Sequence, residues 1–456
     1  MLEIKDLLLT PIYLFVIYIL ALIYRAKYVK DKEDRKYFLP ALIVKIIGAV
    51  CLGLIYNYYY KGGDTFNYFY HINYIHNLFY SDPLSALKLL TIDNSSPNYD
   101  LLIHTSNLYF TQDPSSYFLI RLGVLISLIS FGTYTIIAIF FALISFLSAW
   151  KLYLALNRLY PDHQKEIAIS IFFIPSVAFW GSGLMKDSLT LAALSLGFCY
   201  FLKYFILKER KILYLFIILL MLYVLKSVKI YIAMCLIPSI LIYLFVYLNS
   251  KIKSKSLRFF VKPIFLIIGC VLAYFAITKV SETDSRYSLT NFLQTAKVTS
   301  GWISYVSLKE GGSYYSLGEY DATLSGLLMK FPQAVWVSLF RPYPWESKNI
   351  VMILSSLESF FFLIFTFYVL FRQSPVKFYQ KTSNDPYLQF AFLFSITFAF
   401  AVGVSTYNFG SLMRYKIPMM SFYLSFLFII NKSYNASEIK KIKKKKRLPF
   451  LRSNKI

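Results

Sequence analysis

About eleven apolar stretches of membrane-spanning length run through this chain, and the short polar segments between them alternate between lysine-rich and lysine-poor. Inside hydrocarbon every backbone N–H and C=O must find its partner within the segment, so stretches of this kind form helices. The pattern therefore restricts the fold to an all-α, polytopic membrane bundle of about eleven transmembrane helices with two large outer segments. Composition agrees: 57% of residues are hydrophobic, 19% are aromatic and mean hydropathy is +0.55, too apolar for a soluble globular chain.

The charge bias then assigns sides. A first span, about Leu7 to Tyr24, lacks a small-residue cleavage site and is followed by Arg25, Lys27, Lys30, Lys32, Arg35 and Lys36. It is expected to be retained, with the amino terminus outside and that basic loop in the cytoplasm. A second span, about Phe38 to Tyr59, leads to an outer segment from Lys61 to about Tyr117. The short apolar run Tyr117 to Phe131 carries Arg121; read as a crossing, it would move the later basic loop Lys208-Glu209-Arg210-Lys211 outside, so an interfacial helix is expected there. Spans follow near Thr133 to Leu156, Glu166 to Phe179, Ser188 to Ile206, Ile212 to Leu225, Ile230 to Leu248 and Phe259 to Val280. After a second outer segment, about Ser281 to Lys348, come spans near Ile350 to Phe371, Tyr387 to Val404 and Ile417 to Ile430. Residues 1–431 thus read as a single transmembrane domain and 432–456 as a basic cytoplasmic tail. The location implied is a bacterial plasma membrane, crossed many times.

The net charge of +25 is spread over short loops and the tail residues Lys440, Lys441, Lys443, Lys444, Lys445, Lys446 and Arg447. Retention in the cytoplasm and contact with membrane lipids account for that pattern, and no aromatic-basic groove or zinc spacing points to nucleic acid. Cys51, Cys199, Cys235 and Cys270 lie inside apolar stretches as packing residues. His71 and His76 are not spaced as a metal pair, and neither a metal nor another cofactor is expected.

The unusual polar residues gather on the outer side of this topology. Gly62-Gly63 turns the chain and presents Asp64, a candidate general base, ahead of an aromatic segment containing Tyr68. Pro175, Gly181 and Gly183 interrupt apolar sequence before Lys186-Asp187-Ser188, where Lys186 suits a phosphate and Asp187 a helix start. Lys226 and Lys229 lie between two apolar helices where the charge bias would not place them. In Arg341-Pro342-Tyr343-Pro344-Trp345-Glu346 and in Tyr407 to Pro418, Arg341 and Arg414 offer the bidentate fork that phosphate accepts. Glu358, inside a span, is expected to face the bundle interior. For each residue alone, headgroup anchoring, snorkelling or a solvated turn is the competing structural role.

At these residues the chain resembles bacterial membrane proteins of polysaccharide assembly, the Wzy/EpsG-like repeat-unit polymerases and, more broadly, the GT-C glycosyltransferases. Asn408, Gly410, Arg414, Tyr415 and Pro418 carry the first likeness, and Asp64 opening the first outer segment carries the second. The resemblance implies glycosyl transfer or polymerisation at the outer face from a glycan linked to polyprenyl phosphate or diphosphate, in company with other envelope-assembly proteins. Asp64 would then activate the acceptor hydroxyl, Arg341, Arg414, Lys186 and Lys226 would hold the phosphate, and Tyr68 and Trp345 would stack on sugar rings. The chain has no paired-acid motif at Asp64, which argues against a metal-dependent route. A transporter or flippase of a lipid-linked glycan and a non-catalytic scaffold are the other classes consistent with the residues.

The topology is open to direct test. In a cysteine-free background, cysteine at Ser95 should react with an impermeant thiol reagent added outside the cell, and cysteine at Ser254 should not. The reverse pattern would invert every side assigned above.

Overall fold

The computed structural model describes residues 3–92, 101–252, 254, 289–309, 313–319, 321 and 323–447. The expected span near Phe259 to Val280 lies outside them. Among the described residues no strand forms; one isolated bridge joins Tyr314 to Asn408. The protein is all-α. Among the described residues seven helices are long and apolar enough to cross a membrane. They are Ile4–Tyr28, Lys32–Tyr59, Tyr134–Leu159, Lys186–Ile206, Ile212–Lys251, Ile350–Arg372 and Pro386–Gly403. Three shorter apolar helices, Pro114–Ile129, Phe331–Phe340 and Ile417–Lys432, accompany them. By contacts the chain divides into two compact units, Met1–Ala233 and Met234–Ile456.

The first unit contains α1 (Ile4–Tyr28), α2 (Lys32–Leu54, prolonged by a π turn Ile55–Tyr59), α3 (Asp64–Ser81), α4 (Pro83–Thr91), α5 (Leu102–Thr105), α6 (Pro114–Ile129) and α7 (Tyr134–Leu159). They are followed by α8 (Gln164–Phe172), α9 (Pro175–Trp180), α10 (Lys186–Phe201, prolonged by a π turn Leu202–Ile206) and the first part of α11 (Ile212–Lys251). What reads in sequence as a long outer segment after Tyr59 is therefore largely helical. Lys229 leaves helical geometry (φ −147°, ψ 81°) and kinks α11 between the two apolar runs that the sequence shows there.

Helices α2 and α7 run antiparallel, fastened at both ends. Asp34 near the start of α2 accepts from the Tyr153 hydroxyl and the Asn157 amide at 2.9 Å each, while the Thr65 and Tyr134 hydroxyls meet at 2.8 Å beyond its end. Between them Phe38, Phe146, Trp150 and Phe172 form an aromatic core with ring centroids 4.9 to 6.3 Å apart. The start of α1 joins the start of α7, where Asp6 accepts from the Thr135 N–H at 2.8 Å. Helix α6 packs on α3, placing Ser127 Oγ 3.1 Å from His76 Nδ1. The first residues of α6 meet the start of α10, and its last residue accepts from Tyr13 of α1 at 2.6 Å. Both ends of α6 thus lie at the end of the unit where α2 finishes and α7 begins.

The second unit holds the rest of α11, α12 (Leu289–Lys309), α13 (Leu324–Met329), α14 (Phe331–Phe340), α15 (Ile350–Arg372), α16 (Pro375–Asn384), α17 (Pro386–Gly403), α18 (Phe409–Tyr415) and α19 (Ile417–Arg447). Helices α15 and α19 run side by side in the same direction, with Thr366 Oγ1 2.9 Å from the Tyr423 hydroxyl. Helix α17 returns antiparallel beside α19: Tyr387 near its start meets Ser425 at 2.7 Å, and Ser395 donates to the Met419 carbonyl at 3.4 Å. One end of this unit therefore gathers the end of α17 and the starts of α15 and α19. The other carries α16 and the outgoing basic helix.

Each unit contains a short helix that begins with a proline and stops inside apolar surroundings. In the first unit the proline disfavours helix at the residue before it, so α8 ends and α9 begins afresh at Pro175. Around α9 four carbonyls find side-chain donors: Val177 and Gly181 accept from the buried ammonium of Lys45 at 3.1 and 2.9 Å, Ala178 from Ser182, and Gly183 from Ser188 at 2.7 Å. In the second unit α14 begins at Phe331-Pro332 and ends at Arg341, whose carbonyl accepts from the buried Lys416 at 3.2 Å and from Ser359 at 3.3 Å. Both short helices lie hard against a glycine. A Cβ on Gly48 would stand 2.3 Å from the Ala178 carbonyl oxygen, and one on Gly403 would stand 2.3 Å from that of Ala334.

That closeness sets a measurable cost. Gly48→Ala and Gly403→Ala must push backbone apart and should each destabilise by about 1–3 kcal/mol, lowering the thermal midpoint in detergent. Unchanged midpoints for both would show that the short helices do not approach so closely.

Candidate functional site

In the first unit Asp64 is the first residue of α3 and is half-buried. The neighbouring Thr65–Tyr134 bond holds that helix start in place. Burial, then the charges of Tyr70 and Asp64, push the Tyr109 phenol above its ordinary value, so Asp64 and Tyr109 lie within electrostatic reach. Tyr68 turns inward: it is 3% exposed and its ring centroid is 5.3 Å from that of Phe110. It is packed as a core residue in this structure and offers no sugar-stacking face. His71 is also fully buried, 4.4 Å from the Tyr109 ring, and neither of its ring nitrogens has a hydrogen-bond partner among the described residues. Burial pushes its pKa down to about 4, which keeps it neutral at pH 7.

Adjacent residues at the start of α10 enter two separate ion pairs. Lys186 donates to Asp113 at 3.1 Å and to Ser115 Oγ at 2.6 Å, and Asp113 also accepts from the hydroxyls of Ser115 and Ser116. Burial alone would raise the Asp113 carboxyl, but the Ser116 and Ser115 hydroxyls and the Lys186 charge together hold it at about 2. Asp187, 1% exposed, receives the Lys229 ammonium at 2.5 Å at the α11 kink. Lys226 remains exposed. The outer lysines read from the sequence as a cationic cluster are therefore largely matched by carboxylates of their own unit.

In the second unit the two arginine motifs come together. Arg341, at the end of α14, grips Glu346 through Nε at 3.1 Å and through Nη2, and its guanidinium stands 5.0 Å from the Phe409 ring centroid. Phe409 is delivered by the start of α18, where Asn408 caps the helix by accepting from the Ser411 N–H at 3.1 Å. Tyr315 stacks on Tyr407 at 5.6 Å and donates to the Gly403 carbonyl at 3.0 Å, tying the 313–319 segment to the same place. Arg414 sits half-buried on α18, near the ring of Tyr415.

A cavity of about 580 Å3 opens beside Arg341, lined also by Lys330, Gln333, Trp336, Ser316 and Gly318. Trp336 spends its N–H on the Tyr343 hydroxyl at 2.7 Å, so its remaining interaction is through the ring face. Two cations, an amide and an aromatic face form a lining that suits an anionic ligand bearing a ring. Of the residues singled out in the sequence, only Arg341 lines this cavity. Trp345 is 73% exposed and stacks on Tyr343 at 4.9 Å, one ring removed from Trp336. Lys330, Gln333 and Trp336 carry no sequence signal of their own. Lys45 does, as an ionisable residue inside Ala41-Leu42-Ile43-Val44-Lys45-Ile46-Ile47. Among the described residues no cluster of three or more His, Cys, Asp or Glu side chains is placed to hold a metal.

Comparison of the chain with protein-family models, with curated proteins and with solved structures finds no significant match.

The Asp113 site predicts an acid response. Because its folded pKa lies below the ordinary 3.8, its stabilising contribution is complete above that value and disappears as pH falls toward about 2. Asp113→Asn should flatten the stability profile between those limits, and a profile identical to that of the unmodified protein would contradict the pairing.

Proposed function

We propose that the protein transfers or polymerises glycans at the extracytoplasmic face of a bacterial plasma membrane, from a donor linked to polyprenyl phosphate or diphosphate. The observation that supports this most directly is the cavity of the second unit, where Arg341 and Lys330 are disposed for a phosphate and Trp336 for a sugar ring. The basic helix α19 leaves that unit at the opposite end, and retention of basic segments in the cytoplasm favours an outward cavity, with the amino terminus outside and the carboxy terminus inside. In this reading the acceptor hydroxyl attacks the anomeric carbon, and the bond from that carbon to the phosphate oxygen breaks. The departing phosphate keeps the electron pair, stabilised by cationic side chains. The hydroxyl proton passes to a general base, and Asp64 of the first unit is the candidate that the sequence offers for that role. Arg414 is a further phosphate contact to be tested on its own. A second reading, movement of a lipid-linked glycan across the membrane, draws support from Lys45, a buried cation midway along a candidate span.

Reconstituted protein given a polyprenyl-phosphate-linked glycan separates these readings. Arg341→Lys and Trp336→Ala should weaken donor binding by about tenfold each while the protein still accumulates in the membrane. Asp64→Asn should leave donor binding intact and slow bond formation by roughly a hundredfold or more. Full glycan assembly by all three variants would remove the proposal. Movement of the donor without any new glycosidic bond, in the unmodified protein, would establish transport.

A further inference from the structure

Helix α16, Pro375–Asn384, joins α15 to α17, and both of those have the length and hydropathy of spans. A short helix in that position lies along the membrane boundary. None of its residues is buried. One side rests on the protein, with the Phe378 ring 5.9 Å from that of Phe426 on α19. Val376 and Tyr379, three residues apart and so on one face, are 62% and 72% exposed. Lys377 and Lys381, four apart, form another face, and Arg372 closes α15 just before it.

The charge on this segment is one-sided. Between residues 372 and 385 the only carboxylate in the sequence is Asp385; its Oδ1 caps α17 through the N–H groups of Tyr387 and Leu388 at 3.0 and 3.1 Å, and its charge also reaches Lys381. Lys432 follows Phe426 along α19, and the Lys440–Arg447 run continues the same helix at this end of the unit. An exposed apolar pair beside a basic face, at the end where basic chain accumulates, is complementary to an anionic lipid surface.

We propose that α16 is a docking surface for acidic phospholipid headgroups, with Val376 and Tyr379 entering the acyl boundary and Arg372, Lys377 and Lys381 meeting the phosphates. This is independent of the cavity and of the reaction proposed above. Each basic residue near an anionic surface contributes about fivefold in affinity, so removing three should cost about a hundredfold.

The test uses the full chain in phosphatidylcholine nanodiscs with and without phosphatidylglycerol, reading thermal midpoint and lipid retained after detergent washing. The unmodified protein should gain stability with phosphatidylglycerol and retain it. The variant Arg372→Gln/Lys377→Gln/Lys381→Gln should fold in phosphatidylcholine and lose that gain. Should the triple variant misfold, Lys377→Gln alone decides, with about a fivefold loss of retained acidic lipid expected. An undiminished gain in the variants, or full competition by soluble glycerol phosphate, would overturn the assignment.

Discussion

Every broken helix in an apolar setting leaves backbone carbonyls that water cannot reach, and the structure of this protein is organised around meeting them. Leaving one buried polar group unpaired costs about 1–3 kcal/mol, so an interruption such as Phe173 to Met185 persists only if its acceptors are filled. Lys45 takes two of them at once, with Ser182 and Ser188 taking the next. An ammonium does this better than a neutral donor because it also meets the negative end of the short helix dipole. Lys416 serves the end of α14 in the same way. Each lysine is fully buried and is bonded to carbonyl and hydroxyl oxygens.

In the second unit that device reaches the cavity. The carbonyl held by Lys416 and Ser359 belongs to Arg341, so the backbone of the cavity arginine is fixed from below while its guanidinium is fixed by Glu346 and Phe409. Such a group needs little reorganisation to meet an anion. Glu346 also lowers the net positive charge available, so the cavity relies on Lys330 for its second cation. The ion pairs Asp113–Lys186 and Asp187–Lys229 likewise turn two lysines of the first unit into internal fastening.

Hydrophobic length was a good guide to α1, α2, α7, α10, α15 and α17, because a span must be a continuous apolar helix. It was a poor guide to the run from Glu166 to Phe179, where enough apolar residues are present but Pro175 divides them between two short helices. The segment from Lys61 to about Tyr117 reads as a loop because its residues are polar and aromatic, yet α3 and α4 form there, with α3 packed on α6. The basic residues themselves were legible, since charge is conspicuous in apolar sequence. Their partners were not: Asp113 lies 73 residues from Lys186, and Asp187 lies 42 from Lys229. Arg341 was recognisable from its motif, whereas Trp336 belongs to a largely apolar run and acquires its place only when α14 packs beside the 313–319 segment.

The cavity as a seat for a phosphorylated, ring-bearing lipid is the central claim, and a structure of the full chain in a lipid bilayer with a polyprenyl-phosphate-linked sugar tests it most directly. The phosphate is expected within hydrogen-bonding distance of Arg341 and Lys330, with the sugar ring lying on Trp336. A ligand bound at full occupancy elsewhere, with the cavity beside Arg341 taken up by solvent or an ordinary lipid tail, would contradict it.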